Sequence, residues 1–473
     1  MRQRVVEDPH FNFLRHLAQE MGVKIFLVGG LVRDLLLGRP TQDVDLILSQ
    51  GALEAAKGFS RHTGGTYVLL REEGEMARVV INGQVFDFAN FRGHTLEGDL
   101  KKRDFTINAI ALSLAEAFSA DEWNLFDPLK GINDLEAGII KITSSDSFLR
   151  DPLRLLRAFR LSSQLGLSIE SETRQALKNS ASLLTRSAPE RIHYEWLLLL
   201  SQISSFTSIL GMEETGLLEI LFPEMTALRK IRQDRYHHLD VFGHSLLTLQ
   251  SLEMLMQKDT SVSTDLELEI TSYLSQNQKA AWLKWAALLH DLGKAETARE
   301  KDGRLIFYGH AEASQRKLEM IAERFRLGKQ ELSFLCKLTG GHMRLFHLIQ
   351  EEDRGPLTHR AINRFIREVS DELCGFFLLA LADSLAAQGP EKPPDREDRI
   401  RKMWSQALVF KKEWLPPLPQ KAPLLSGDDL IELGLAPGPS FKILLSEIQE
   451  EQWAGEIQTK EEALDWLKKR ISL

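Results

Sequence analysis

The stretch IFLVGGLVRDLLLGRPTQDVDLIL (25–48) decides how this 473-residue chain is read. Four apolar residues lead into Gly29 and Gly30, and a helical pattern carrying Arg33 and Asp34 follows. Paired glycines let a phosphate approach the backbone closely, and the N–H groups that open a helix face an anion. Taken alone, the two glycines fit an ordinary strand–turn–helix connection equally well, and neither GxGxxG nor GxxxxGK[ST] occurs here. The end of the stretch is more telling. Asp43 and Asp45 stand two apart on a predicted strand, so both carboxylates face one side while Val44 and Leu46 face the other. Two carboxylates on one face repel unless a cation lies between them, and Mg²⁺, which favours oxygen ligands and phosphates, suits the pair. Asp87 in VFDFA (85–89), between Phe86 and Phe88 on another predicted strand, is a third candidate.

Outward from this stretch, residues 1–140 mix strand-like runs (IFLVGG, DVDLIL, ARVVI, QVFDFA) with short helical patterns, which predicts an α+β or α/β head. From 141 to 235 the pattern turns helical. It stays helical over 236–390 but becomes rich in histidine and carboxylates. The stretches GPEKPPDREDR (389–399) and WLPPLPQKAP (414–423) read as linkers. KEEALDWLKKRI (460–471) closes the chain as a helix, and there is no internal repeat. The expected fold class is therefore α+β multidomain: a mixed-sheet head at 1–140, an all-α neck at 141–235, an all-α domain at 236–390, and a linker with helical tail at 391–473.

Composition sets limits. Hydrophobic residues are 43% and charged residues 27%, which excludes a disordered or collagen-like chain. Two cysteines, Cys336 and Cys374, exclude a disulfide framework and a four-cysteine zinc site. No apolar run approaches membrane-spanning length, so a soluble, cytoplasmic protein without a membrane partner is expected. With 59 basic and 67 acidic residues the net charge is −8, so any nucleic-acid binding must rest on a local basic surface and weaken with salt.

GG-x-VRD-x-LLG followed by D-x-D resembles the catalytic motif of polymerase-β-like nucleotidyltransferases. KRDFTINAIAL (102–112), DPLKGINDL (127–135), RDPLRLLRAFRLSSQLGLSIE (150–170) and PERIHYEW (189–196) follow in the order of the class II tRNA nucleotidyltransferase and bacterial poly(A) polymerase family. The resemblance implies that Asp43 and Asp45 hold two Mg²⁺ ions with Asp87 as third carboxylate, one ion activating a tRNA 3′-hydroxyl and the other the leaving pyrophosphate. It also implies that Gly29, Gly30 and Arg33 meet the incoming nucleotide, and that Arg103, Asp104 and Asn108 hold its ribose and triphosphate.

Asp151-Pro152 predicts a helix opening, with Arg154, Arg157 and Arg160 following at three-residue steps. On residues alone these arginines fit a solvated helix surface. The resemblance makes Asp151 and Arg154 the pair that reads the base edge: a carboxylate accepts from the amino group of cytosine or adenine, and a guanidinium donates to ring nitrogen and carbonyl. Arg157 then lies nearer the phosphates. Arg150 stands where the family usually has glutamate. Arg191 is expected to contact tRNA or to pair with Glu195. Only GHTLEGDLKK (93–102) separates Arg92 from Arg103, shorter than the flexible loop usual in members that complete the whole CCA end. That favours C addition from CTP without efficient A addition from ATP. The alternatives are a full CCA-adding enzyme and a poly(A) polymerase.

A second set of residues lies downstream: His244 in YHHLDVFGHSLLTLQ, His290 and Asp291 in AALLHDLGK, His310 in YGHAEAS, His342 in GGHMR and Asp383 in LLALADSLAA. Singly, each histidine fits a packed or surface position. The H…HD…D order resembles the HD metal-dependent phosphohydrolases. That implies one divalent ion on His244, His290, Asp291 and Asp383, and a second on His310 and His342, with Mn²⁺, Fe²⁺, Ni²⁺ or Zn²⁺ favoured by imidazole. Adjacent His and Asp cannot share one helix face, so the helix must present its end or edge to the ion. Hydrolysis of phosphodiesters such as 2′,3′-cyclic tRNA ends is then expected. Other classes are an HD phosphohydrolase with an inactive head and a non-catalytic RNA-binding protein.

Overall fold

The alternation in 43–48 is realised in a six-stranded mixed sheet. The structure is a computed structural model that describes residues 5–41, 43–93, 95–119, 123–258, 264–355, 357–414, 423–454 and 456–471. Most of the expected linker at 414–423 therefore lies outside the described residues, as does His94 of the short loop. The chain forms two compact units, Met1–Leu221 and Phe222–Leu473.

In the first unit the strands are β1 (Ile25–Val28), β2 (Asp43–Leu48), β3 (Thr66–Arg71), β4 (Met76–Ile81), β5 (Gln84–Asn90) and β6 (Ala111–Ser113). Their order is β3-β4-β5-β2-β1-β6, with β2 and β5 parallel and every other pair antiparallel. Helices α1 (Pro9–Met21), α2 (Gly30–Leu36) and α3 (Ala52–Thr63) flank it. Strand period two buries Val44 and Leu46 of β2 with Phe86 and Phe88 of β5, in a core that Phe11 and Phe59 complete from α1 and α3. The Phe59 ring lies 4.8 Å from that of Phe86. The same period turns Asp43, Asp45 and Asp87 away from this core. Parallel pairing sets Asp45 directly beside Asp87, and antiparallel pairing sets Val28 beside Asp45.

The helices beyond the sheet include α4 (Leu96–Leu100), α5 (Gly131–Glu136), α6 (Ser147–Arg150), α7 (Arg154–Leu165) and α8 (Pro189–Leu200). The DPLKG motif is built for local closure. Asp127 accepts from the Gly131 and Ile132 amides at 2.7 and 2.9 Å, capping α5. A side chain at Gly131 would overlap the Thr106 carbonyl.

The second unit is almost wholly helical: α9 (Val241–Lys258), α10 (Lys279–Leu289), α11 (His310–Phe325), α12 (Lys329–Gly341), α13 (Leu373–Ala386) and α14 (Arg396–Trp414) form its body. Helix α13 is apolar all round and buried along nearly its whole length, which makes it the central helix of this unit. Phe377 on α13 stacks on Trp404 of α14 at 5.4 Å. A smaller core of Leu425, Leu430, Ile448, Ile457, Ala463 and Leu467 holds the last helices. The 389–399 stretch, expected to be a free linker, is tied down instead. The Gly389 amide donates to Tyr236 O at 2.7 Å, and Lys392 Nζ donates to Ser384 O at 2.8 Å. Gly389 touches the backbone of 235–237 so closely that no side chain fits, so glycine here serves contact and not flexibility. Among the described residues no helix is long and apolar enough to cross a membrane.

Candidate functional site

In the head, Gly29 is the point of closest approach. Its φ of 71° and ψ of −140° belong to glycine alone, and a Cβ there would overlap Asp45 Oδ2 and sit 3.0 Å from Arg103 Nη1. What the first glycine of the pair admits is thus the carboxylate of Asp45. Burial pushes the Asp45 carboxyl up from its ordinary range; Arg103 opposes this, and Asp87 and Asp43 reinforce it. Asp43 is exposed, and among the described residues neither the Asp43 nor the Asp45 carboxylate accepts a hydrogen bond. Two such carboxylates on one strand face are a donor set that fits a divalent cation.

Asp87 stands differently. Arg78, its cross-strand neighbour on β4, grips both its oxygens at 2.8 and 2.9 Å. The third carboxylate is therefore neutralised by the protein itself, which sequence order could not reveal because the partner lies across a hairpin.

The remaining candidates form a connected network. Arg33 is buried, its Nε donating to Asp34 and its Nη1 to Asn108 at 2.8 Å. Asp104 accepts from the Phe105 amide at 2.8 Å and from Asn108 Nδ2 at 3.1 Å, with Arg157 Nη1 at 3.4 Å. Burial alone would raise the Asp104 carboxyl, but Arg157 and these hydrogen bonds outweigh it and hold it below its ordinary range. Arg157 and Arg160 both pair with Glu195 of α8, which is buried, at 3.1 and 2.7 Å. Arg191 pairs with Asp151 at 3.1 Å, so the sequence-based choice of Glu195 as its partner is corrected. Two arginines from α7 already fill Glu195.

The helix opening expected at Asp151-Pro152 comes three residues later. Helix α7 begins at Arg154, and residues 151–153 form a tighter lead-in where the Arg154 amide bonds Asp151 O at 3.1 Å. Asp151 still caps this lead-in, accepting from the Leu153 amide at 3.3 Å. Arg154 is buried. Its Nη1 donates to Arg103 O and Ser147 Oγ, and its Nη2 to Lys102 O, all within 2.8–2.9 Å. Arg150 pairs with Asp146 at 2.6 Å. The described part of the short loop, 95–102, is itself folded. Thr95 caps α4, and buried Asp99 accepts from the Arg92 amide at 3.0 Å and from Arg103 Nε at 3.2 Å. Sequence reading passed over Asp99, Ser147 and Arg78. Asp99 carried a signal, an acid four residues before Arg103; the other two carried none.

In the second unit α10 ends at Leu289, so His290 and Asp291 do stand at a helix end. Asp291 is the hub. His290 Nε2 lies 3.2 Å away and His244 Nε2 3.9 Å from its Oδ2, with His310 and His342 Nε2 at 3.7 and 3.6 Å from its Oδ1. Asp383, the one acid in the apolar helix α13, meets His244 Nε2 at 2.9 Å. His290, His310 and His342 each donate Nδ1–H to a carbonyl three residues back: Ala287, Phe307 and Thr339. These bonds fix the tautomers and leave the Nε2 lone pairs free. His310 and His342 then bring two such lone pairs within 3.1 Å of each other, an arrangement that calls for a cation. Burial pushes His244 down to about 4 and His342 down to about 3, so both are neutral at neutral pH, the form a metal ligand requires. The buried Asp291 Oδ1 lacks an ordinary hydrogen-bond partner. The donor set fits one or two divalent ions. His237 joins it, close to His244 and Asp383, with its Nδ1 held by Asp234 at 2.7 Å. Lys294 Nζ reaches Asp291 at 2.6 Å. Lys294, three residues past the HD pair, was legible in sequence; His237 was hidden by an adjacent histidine.

Comparison with known proteins finds three family models in chain order: the poly(A) polymerase head domain over residues 25–141, a probable RNA-binding segment of polymerase A over 166–228, and the HD domain over 241–388. An A-adding tRNA nucleotidyltransferase of Deinococcus radiodurans is 32% identical over 92% of this chain and 93% of its own length. A CC-adding tRNA nucleotidyltransferase of Thermus thermophilus is 32% identical over 93% and 92%. The structure of Thermotoga maritima CCA-adding enzyme complexed with tRNA matches with a TM-score of 0.62 at 21% identity, covering 98% of this chain and 96% of that one.

Proposed function

From the premise that this chain belongs to the tRNA nucleotidyltransferase family, we propose that its head adds C to tRNA 3′ ends from CTP and leaves the terminal A to another enzyme. The observation that carries this is how Arg154 is held. The carbonyls of Lys102 and Arg103, which end the short loop, fix its guanidinium, and Asp99 pins that loop to Arg92 and Arg103. A base-selecting arginine tied to a short, closed loop has one setting, and accepting adenine after cytosine needs a second.

In this reading Asp151 accepts from the cytosine amino group, and Arg154 faces the ring nitrogen and carbonyl. Arg33, Arg103 and Arg157 neutralise the triphosphate, with Asp104 and Asn108 holding their geometry. Asp43 and Asp45 hold Mg²⁺, which supplies activation of the 3′-hydroxyl and charge neutralisation at the departing pyrophosphate. Asp87, already gripped by Arg78, shapes the strand face and is not a ligand.

Single-turnover extension of tRNA lacking CCA, with CTP and ATP together, is expected to stop after C addition, and Asp43→Ala to abolish it. Completion of CCA would refute the proposal. The Deinococcus radiodurans relative supports a second reading, in which ATP alone extends only a tRNA ending in CC. Long A tails on any RNA would instead mark a poly(A) polymerase.

For the second unit we propose metal-assisted hydrolysis of phosphate esters, such as 2′,3′-cyclic RNA ends, supported by the converging donor set around Asp291. A His290→Ala, Asp291→Ala variant is expected to lose this hydrolysis while retaining C addition.

A further inference from the structure

The Asp291 cluster opens into a cavity of about 630 Å³, within the size range of small-ligand sites. Three arginines line it together with Lys294. Arg344 pairs with Glu368, and Arg399 with Asp353 and Ile349 O. Lys294 is committed to Asp291 and Gln233. Arg396 differs. Among the described residues its guanidinium has no carboxylate partner, and it lies 4.5 Å above the Phe346 ring and 5.4 Å from that of Tyr236. A planar cation held by aromatic contact and left unneutralised on a cavity wall is organised to take an anion.

Tyr308, 79% exposed, also lines the cavity. Its neighbours are fixed: the Phe307 carbonyl holds His310, and the Phe307 ring lies 5.4 Å from Lys294 Nζ. A large aromatic left open to solvent on an anchored segment beside a metal cluster offers a face for stacking. Arg396 and Tyr236 both lie outside the span matched by the HD model, 241–388.

We infer that this cavity is a nucleoside-phosphate subsite in which Arg396 binds the phosphate and Tyr308 stacks on the base, making both specificity-determining residues for the hydrolytic reaction. The inference rests on the metal-assisted reading of the Asp291 cluster. The phosphate source is either an RNA 3′ end or a free nucleotide.

The test uses the full, metal-loaded chain. Equilibrium binding of adenosine 3′-monophosphate, and hydrolysis of 2′,3′-cyclic AMP, of an RNA oligonucleotide ending in a 2′,3′-cyclic phosphate, and of baseless ribose 2,3-cyclic phosphate, are compared in four proteins. Arg396→Ala is expected to raise KM at least tenfold for all three substrates, with kcat changed much less, and Arg396→Lys to restore part of the loss. Tyr308→Ala is expected to raise KM about tenfold for the two substrates bearing a base and to leave the baseless one unchanged. Metal content and C addition to tRNA stay at the wild-type level throughout. A lower KM for the oligonucleotide identifies an RNA end as the source, and a lower KM for the free nucleotide identifies the mononucleotide. If KM and the binding stoichiometry of adenosine 3′-monophosphate are the same in wild type, Arg396→Ala and Tyr308→Ala, the subsite is overturned. If wild type hydrolyses nothing but loses one adenosine 3′-monophosphate site in Arg396→Ala, the hydrolytic reading fails while the subsite stands.

Discussion

Gly29 shows how much a single position decides. Its backbone conformation excludes other residues, and the space where a side chain would begin is taken by the Asp45 carboxylate. Gly29→Ala is therefore expected to displace Asp45 and cut C incorporation by about 10²-fold or more, since misplacing a reacting group by about 1 Å costs that much. Wild-type activity in this variant would remove Asp45 from the metal site. Asp104 makes a second case. Its folded carboxyl is held below the unfolded value, so the stabilisation is complete above pH about 3.9 and is lost as pH falls through the folded value. Asp104→Asn is expected to lose about 2 kcal/mol at pH 7, with the gap to wild type closing in acid. Denaturant unfolding at pH 7 and in acid measures it; a gap that widens in acid contradicts this sign.

At the scale of elements, the loop 93–102 and helix α7 act as one piece. Asp99 satisfies the Arg92 amide and the Arg103 guanidinium, and the carbonyls of Lys102 and Arg103 hold Arg154. Asp99→Ala leaves two donors without their acceptor and loosens Arg154, the arginine proposed to select the base. Loss of about tenfold or more in kcat/KM for CTP is expected, with weakened preference for CTP over UTP. Unchanged discrimination would separate the loop from base choice. Helix ends do similar work in the second unit. Because α10 stops at Leu289, His290 and Asp291 can both turn toward one point, which two adjacent residues inside a helix cannot do.

At the scale of the whole molecule, the proposed ion at the Asp291 cluster would couple metal to folding. Without an ion, the unit Phe222–Leu473 buries the Asp291 Oδ1, which lacks an ordinary partner, and two imidazole lone pairs facing each other. A chelator is expected to lower its thermal midpoint by roughly 5–10 °C, from about 2.7 kcal/mol of linkage at a hundredfold excess over Kd. The His290→Ala, Asp291→Ala variant should show no such shift. A wild-type midpoint indifferent to chelator would mean the cluster holds no ion.

Periodicity and local motif chemistry are encoded within a few residues. The strand at 43–48, the acids facing one side of it, the glycine pair and the helix-ending His290-Asp291 could therefore be read from the sequence alone. The family order of motifs was equally plain. Partners brought together from distant segments were not. Arg78 on Asp87, Glu195 beneath Arg157 and Arg160, the loop carbonyls on Arg154, and Arg396 against Phe346 all depend on chain crossings, which local sequence does not specify. Sequence shows which charges are present; only the tertiary structure decides which of them are already neutralised and which remain to bind a ligand, because ion pairing depends on distance in space and not along the chain.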